Sequence, residues 1–279
     1  MRFPAFAALS FCAAAASCTP ASPLKVSAAA TAQPPVEATT PLPSPAAREP
    51  APHRSSASPF VTRREIEGIR FEGVSFDAAS HRLVVVDQPG GPGSKYPDTR
   101  SAAASRDGLA AVNAGFFTPE GAPLGRVISG GKPAGSWNRS SLGSGVFTES
   151  SSGNLSISRR DAVSSDTTSR ELLQAGPLLV ENSRTVSGLD GGKPAVRTLM
   201  LWDGGIGWWI GRSSVCTLAQ LGAALVKGSP TGWKIHTALN LDGGRSTDLW
   251  VSGSVSGGPA SFRPLWNRPV RNFLVLVPR

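Results

Sequence analysis

Residues 197–212 read RTLMLW, DGG, IGWWIGR: two apolar runs joined by a three-residue turn. Runs rich in β-branched and aromatic residues, joined by Asp-Gly-Gly, specify a β-hairpin, because glycine accepts the turn backbone and the aspartate bonds its own main chain. The pattern recurs. GVFTES and LSISRR flank SSGN at 151–154; RLVVVDQ (82–88), GLAAVNAGFF (108–117), IHTALNL (235–241), TDLWVSGSV (247–255) and VRNFLVLV (270–277) each read as a strand or strand edge. A chain so dense in short apolar runs and turns has to build sheets.

One helix is well signalled. In CTLAQLGAALVKG (216–228), Thr217 and Gln220 form a capping box, Leu218, Leu221 and Leu225 share a face, and Lys227 and Gly228 mark the end. TSRELLQAG (168–176) is expected to give a short helical turn before Gly176. The expected fold class is α+β: a sheet-rich single domain with one or two helices packed on mixed or antiparallel strands.

That domain does not use the whole chain. Eleven of the 24 prolines fall in the first 59 residues, and Thr19–Pro59 contains no Phe, Trp or Tyr. Such a stretch cannot bury enough apolar surface to offset its ordering entropy and reads as a disordered Pro/Ala/Ser tether. Residues 1–18, MRFPAFAALSFCAAAASC, read as an export signal: a basic Arg2, a short apolar run and small residues. Cys18 after AAS loosely matches a lipoprotein processing site, with Ala15 where Leu is usual; ordinary cleavage nearby is the alternative. The expected organisation is export signal 1–18, tether 19–59, domain 60–279. The expected location is the periplasm, an outer-membrane lipid anchor on Cys18, or the exterior.

Charge and cysteine narrow the chemistry. The net charge is +9, and residues 60–279 hold 24 of the 28 Lys and Arg against 17 of the 19 acids. The charges are scattered, without the basic stripe and interleaved aromatics of a nucleic-acid binder, so no nucleic-acid partner is expected. A basic surface suits anionic polymers or phosphate-bearing substrates. Cys216 is alone in the domain and reads as a small buried residue. His53, His81 and His236 lack metal-ligand spacing.

Asp-Gly-Gly begins at Asp190, Asp203 and Asp242. For Asp203 the hairpin is sufficient explanation, and Asp190 lies in a polar loop. Asp242 keeps richer company, with Asn240 before it and Arg245, Ser246 and Thr247 after it. Two glycines let backbone amides approach a ligand and form an anion-holding concavity, and a guanidinium adds paired donors. A carboxylate beside such a cradle can do acid, base or nucleophilic work. Asn113, Gln174 and Arg197 are weaker candidates. Their simpler readings are a strand-end amide, a loop amide capping a carbonyl and a surface charge.

Taken in order, AVNAGFF, LQAGPLLV, VRTLMLW, TLAQLGAALV, ALNLDGGRST and RPVRNFLVL resemble the phosphodiester glycosidase family over about Val112–Val277. That family includes a lysosomal enzyme that removes N-acetylglucosamine from a sugar phosphodiester, and many bacterial envelope proteins, some exopolysaccharide-related. The resemblance implies hydrolysis of a sugar-1-phosphodiester. The family's Asn-Gly-Gly-Phe-Phe falls on Asn113, Ala114, Gly115, Phe116 and Phe117; its Gln-x-Gly-Pro on Gln174, Gly176 and Pro177; its Arg-Thr on Arg197 and Thr198. Its Asn-Leu-Asp-Gly-Gly-Gly-Ser falls on Asn240, Leu241, Asp242, Gly243, Gly244, Arg245 and Ser246. Ala114 and Arg245 replace family glycines.

On that resemblance Asp242 is the acid/base or nucleophile, or orients water or a metal, and Asn240 bonds sugar hydroxyls or positions it. Gly243, Gly244, Arg197 and Arg245 hold the phosphate; Asn113, Gly115, Gln174, Gly176, Thr198 and Ser246 complete the substrate pocket. No cofactor is implied, and a divalent metal is left open. Glycosidases usually pair two carboxylates; Asp248 and Glu120 are the candidates for the second. The partner is a carbohydrate phosphodiester, with membrane contact only through a lipid on Cys18. Two rivals stand beside the enzyme: a catalytically silent saccharide-binding module on the same scaffold, and a structural lipoprotein binding anionic polymers by charge.

Overall fold

The computed structural model describes residues 58–164 and 168–279, so the export signal, Cys18 and nearly all of the tether lie outside the described residues. The described residues form three antiparallel sheets and two helices. The first sheet has seven strands in the order Phe60–Ile66, Ile69–Asp77, Gly207–Ser213, Thr198–Trp202, Thr237–Asn240, Leu178–Glu181 and Arg184–Thr185. The second has five: Ala260–Phe262, Leu249–Val251, Ala110–Asn113, Asn272–Pro278 and His81–Asp87. The third has Lys132–Ala134, Val127–Ser129, Ser169–Ala175, Gly145–Ser150 and Leu155–Arg159.

Period-2 alternation decides which faces are buried. Along Thr198–Trp202, Met200 faces a central core, while Leu199 and Leu201 face the other way. The central core draws on all three sheets, with Val74, Val85, Val112, Phe147, Leu173, Trp208, Leu239 and Leu274 in one cluster. Such a core needs alternating side chains from strands distant in sequence, which is what the runs supply.

Helix α2, Leu218–Lys227, covers the outer face of the seven-stranded sheet. The capping box is present: Thr217 accepts from the Gln220 amide at 3.1 Å and the Gln220 side chain accepts from the Thr217 amide at 2.9 Å. At ten residues α2 is too short to persist alone, so burial of Leu221, Ala224 and Leu225 against Leu179, Leu199 and Trp209 decides its stability. Helix α1, Thr99–Ala104, packs Ala102 and Ala103 against Ala111, Phe273 and Val275 of the second sheet.

Two expectations are corrected. SRELLQA is a strand, Ser169–Ala175, rather than a helical turn; it is bonded on both sides, and ladder pairing overrides the helical preference of Glu, Leu and Gln. The strand read as ending at Phe117 ends at Asn113, where the chain turns away into the site. The hairpin of Phe60–Ile66 and Ile69–Asp77, and helix α1, were not anticipated.

Candidate functional site

The three sheets meet at one place, and the residues singled out above sit at the strand ends facing it. Asn113 ends one strand of the second sheet, and Asn272 begins its neighbour. Thr198 begins and Asn240 ends adjacent strands of the first sheet; Gln174 lies near the end of a strand of the third. The turn 241–248 passes between them.

Asn113 is the tie. Its Oδ1 accepts from the Thr198 hydroxyl at 2.7 Å and from the Asp248 amide at 3.0 Å, while its Nδ2 donates to the Asp242 carbonyl at 2.5 Å. The Asp242 amide in turn donates to the carbonyl of Ala114 at 2.9 Å. The Asp242 main chain is thus clamped from both sides. Ala114 meets no strain in place of a family glycine, since its φ is not in the left-handed region. The Gly115 amide donates to Asn272 Oδ1 at 2.7 Å, and Asn240 Nδ2 donates to the Gly176 carbonyl at 2.8 Å.

Asp242 is buried, with its side chain 8 % exposed. Burial pushes its carboxyl above the usual carboxylate range, while a hydrogen bond from Ser246 and the nearby Arg268 guanidinium pull the other way. Arg268 Nη2 lies 3.4 Å from Asp242 Oδ2, its Nε donates to Ser246 Oγ at 2.9 Å, and its guanidinium stacks 4.7 Å from the centre of the Phe117 ring. Arg268 lies inside RPVRNFLVL but was not recognised as a site residue. Its one signal was membership of that block, because 26 residues separate it from Asp242.

The other two Asp-Gly-Gly turns behave as expected of turns. Asp203 Oδ1 accepts from the amides of Gly205 and Gly207, and Asp190 Oδ1 from that of Gly192. At Asp242 the glycines have different reasons. Gly244 adopts φ +61°, and a Cβ on Gly243 would stand 2.8 Å from the Val196 carbonyl. Of the two amides expected to form an anion cradle, that of Gly244 is engaged in the scaffold: its N–H donates to Val196 O at 2.8 Å.

Other expected site residues are placed differently. Gln174 Oε1 accepts from the amides of Arg126 and Asn138, and its Nε2 donates to the carbonyls of Asn138 and Gly143, so it organises the loop beside the site. A Cβ on Gly176 would stand 2.3 Å from Ser141 O, so glycine permits that approach. Arg197 runs alongside Gly243 and donates to the Cys216 and Lys193 carbonyls; burial lowers its pKa. Arg245 is exposed, and its Nε donates to the Trp266 carbonyl at 2.8 Å rather than turning toward Asp242. His236 bonds Thr237 at the opposite end of the strand from Asn240. Cys216 is buried, as read.

Neither candidate second carboxylate joins Asp242. A 3₁₀ turn, Gly244–Ser246, separates Asp248 from it; Asp248 accepts from Thr99 N–H and Oγ1 at the start of α1 and pairs with Arg263 at 3.3 Å. Glu120 is exposed in a turn with Thr118. Asp242 shares its carboxylate with Arg268, and among the described residues no group of three His, Cys, Asp or Glu gathers around it. Three buried polar atoms around the site have no partner among the described residues: Asn240 Oδ1, Thr247 Oγ1 and Asn272 Nδ2. Buried polar groups are rarely left unpaired, so this cluster marks hydrogen-bonding capacity available to a ligand or water.

Residues 107–277 match the phosphodiester glycosidase family model. The fold resembles the zebrafish N-acetylglucosamine-1-phosphodiester alpha-N-acetylglucosaminidase catalytic domain, solved auto-inhibited by its pro-peptide, with TM-score 0.57, 19 % identity, and 81 % of this chain and 86 % of that one covered. A hypothetical protein from Synechocystis gives TM-score 0.57 at 16 % identity, covering 80 % and 62 % of the two chains. A protein from Burkholderia pseudomallei K96243 gives TM-score 0.51 at 13 % identity, covering 76 % and 75 %. No curated protein matches the chain by sequence. With the family model spanning more than half of its length, the chain belongs to the phosphodiester glycosidase family.

Proposed function

We propose that the protein hydrolyses a sugar-1-phosphodiester, adding water across the bond between the anomeric carbon and the phosphate oxygen. The products are a free sugar and a phosphomonoester. The observation that carries this reading is the pairing of a buried Asp242 with Arg268. A carboxylate with a raised pKa is a stronger base once ionised, suited to taking a proton from water or attacking the anomeric carbon. The guanidinium next to it suits the phosphate, whose charge grows as it leaves. A phosphate leaving group needs little protonation, which accounts for a single carboxylate where glycosidases use two. Asn113 holds the Asp242 main chain, Ser246 orients its carboxylate, and the unpaired Asn240 Oδ1 faces the sugar hydroxyls.

The expected setting is the bacterial cell envelope, with a carbohydrate phosphodiester as partner and a link to exopolysaccharide. The reading of residues 1–59 and the family support it. Among the described residues no helix is long and apolar enough to cross a membrane. One observation favours a second reading, a silent saccharide-binding module: among the described residues no second carboxylate bonds at Asp242, and the Gly244 amide is already engaged.

The test is turnover of a panel of sugar-1-phosphodiesters by the unit Pro52–Arg279, which is compact by itself, beside Asp242→Asn. Free sugar release that drops roughly 10²–10⁴-fold in the variant supports hydrolysis through Asp242. Saccharide binding without turnover across the panel selects the silent module.

A further inference from the structure

The loop Arg263–Arg268 carries two apolar side chains that the protein does not cover. Leu265 is 98 % and Trp266 80 % exposed. Every other exposed large hydrophobic side chain among the described residues is between 37 % and 63 % exposed, and none adjoins another in sequence. A consecutive Leu-Trp pair projected into water costs apolar hydration unless it has a destination.

The projection is held in place. Asn267 Nδ2 donates to the carbonyls of Arg245 and Thr247 at 3.0 and 3.2 Å, and the Arg268 amide donates to Arg245 O at 3.0 Å. Arg263 Nη2 donates to Asn267 Oδ1 at 2.7 Å and to Pro97 O at 3.0 Å. Arg245, which stands where the family has glycine, donates Nε to the carbonyl of Trp266 itself. Its guanidinium has no carboxylate within ion-pair distance among the described residues, so its charge faces outward with the loop.

The most exposed charges on this rim are arginines. Arg245, Arg263 and Arg268 are exposed, while the acids behind them, Asp242 and Asp248, are 5 % and 3 % exposed, with pKa values raised by burial. The remaining acid, Asp98, lies within 3.7 Å of Arg263 and caps helix α1. A Trp-Leu tip flanked by arginines is the composition of an interfacial anchor: the rings and aliphatic carbons enter the headgroup boundary, and the guanidiniums stay with the phosphates.

We infer that the Leu265–Trp266 loop docks the protein on an anionic phospholipid surface and presents the Asp242 site to it. This contact is separate from any lipid on Cys18. It does not depend on the proposed hydrolysis, because vesicle binding is read without substrate.

The test is flotation of Pro52–Arg279 with phosphatidylethanolamine/phosphatidylglycerol vesicles and, separately, with phosphatidylcholine vesicles. The wild-type unit is expected to float with the anionic vesicles, less so at high salt. The Leu265→Ser/Trp266→Ser double variant is expected to lose at least about tenfold in partitioning at an unchanged melting temperature. Arg245→Gly, which releases the Trp266 carbonyl, is expected to show an intermediate loss, and Trp266→Phe to retain binding. Failure of the wild type to float with anionic vesicles, or equal flotation of the double variant, overturns the inference. So does a double variant altered only in its KM for a soluble sugar phosphodiester, which would make Trp266 a sugar platform.

Discussion

Asn113 Nδ2 donates to the carbonyl of Asp242 at 2.5 Å, while Asn113 Oδ1 receives the hydroxyl of Thr198 from a different sheet. One buried amide therefore fixes the candidate catalytic main chain to two of the three sheets. Asn113→Ala would leave the buried Thr198 hydroxyl, Asp248 amide and Asp242 carbonyl without this partner. The expected cost is on the order of 3 kcal/mol in chemical denaturation, with kcat reduced even where the variant remains folded. An Asn113→Ala protein of wild-type stability would remove the clamp from the account.

Arg268 has two effects on Asp242. It offers a cation to a departing phosphate and, by its charge, favours the ionised carboxylate. Arg268→Ala should therefore lower kcat/KM by roughly 10²–10³-fold and move the acidic limb of the pH–rate profile upward, since Asp242 would then ionise at higher pH. Arg268→Lys should recover the position of that limb better than the rate, because an ammonium keeps the charge but loses the forked donors and the stacking on Phe117. A profile unmoved in both variants would detach Arg268 from Asp242.

A second pair of carboxylates, away from the site, sets a pH dependence of stability. Glu149 and Glu171 face one another directly across neighbouring strands, and both are buried. Burial first, and the Glu149 charge as a lesser cause, raise Glu171 to about 7, against the opposing pull of the Gly130 and Val85 amides and Arg82. The folded state thus holds a proton that the unfolded chain releases near its ordinary glutamate pKa. Glu171's contribution is greatest below the unfolded value and is lost as pH rises through about 7. Thermal melts should show stability falling between about pH 5 and 8 by on the order of 2 kcal/mol, and Glu171→Gln should flatten that slope. An identical slope in the variant would assign it to another group.

Gln174 is expected to matter for stability more than for recognition. Its four hydrogen bonds hold Arg126, Asn138 and Gly143 of the loop that borders the site. Gln174→Ala should cost about 1–3 kcal/mol and speed proteolysis within 124–143, with a modest change in KM. A large KM effect at unchanged stability and proteolysis would return Gln174 to the substrate.

Much of the strand architecture was legible in advance because alternation and turn chemistry are local. RTLMLW-DGG-IGWWIGR folds as a hairpin for reasons contained in those sixteen residues, and α2 begins where Thr217 and Gln220 cap it. Local preference misled at SRELLQA, where two ladder partners outweigh helical propensity. It was silent at α1, a six-residue helix fixed by the Asp98 cap and by Asp248, which lies 149 positions from Thr99.

At the site, residue identity and ordered spacing singled out Asp242 as the candidate among three Asp-Gly-Gly turns, and the ordered motifs sufficed to name the family. Only the tertiary structure decided which of the accompanying groups remain available. The Gly244 amide, the Gln174 amide and Arg245 Nε are taken up by partners distant in sequence, while Arg268 arrives from a separate loop to meet the carboxylate. Hydrogen bonding saturates, and a donor engaged in the scaffold is unavailable to a ligand. That allocation depends on which strands lie side by side, a long-range property that no single stretch of sequence carries.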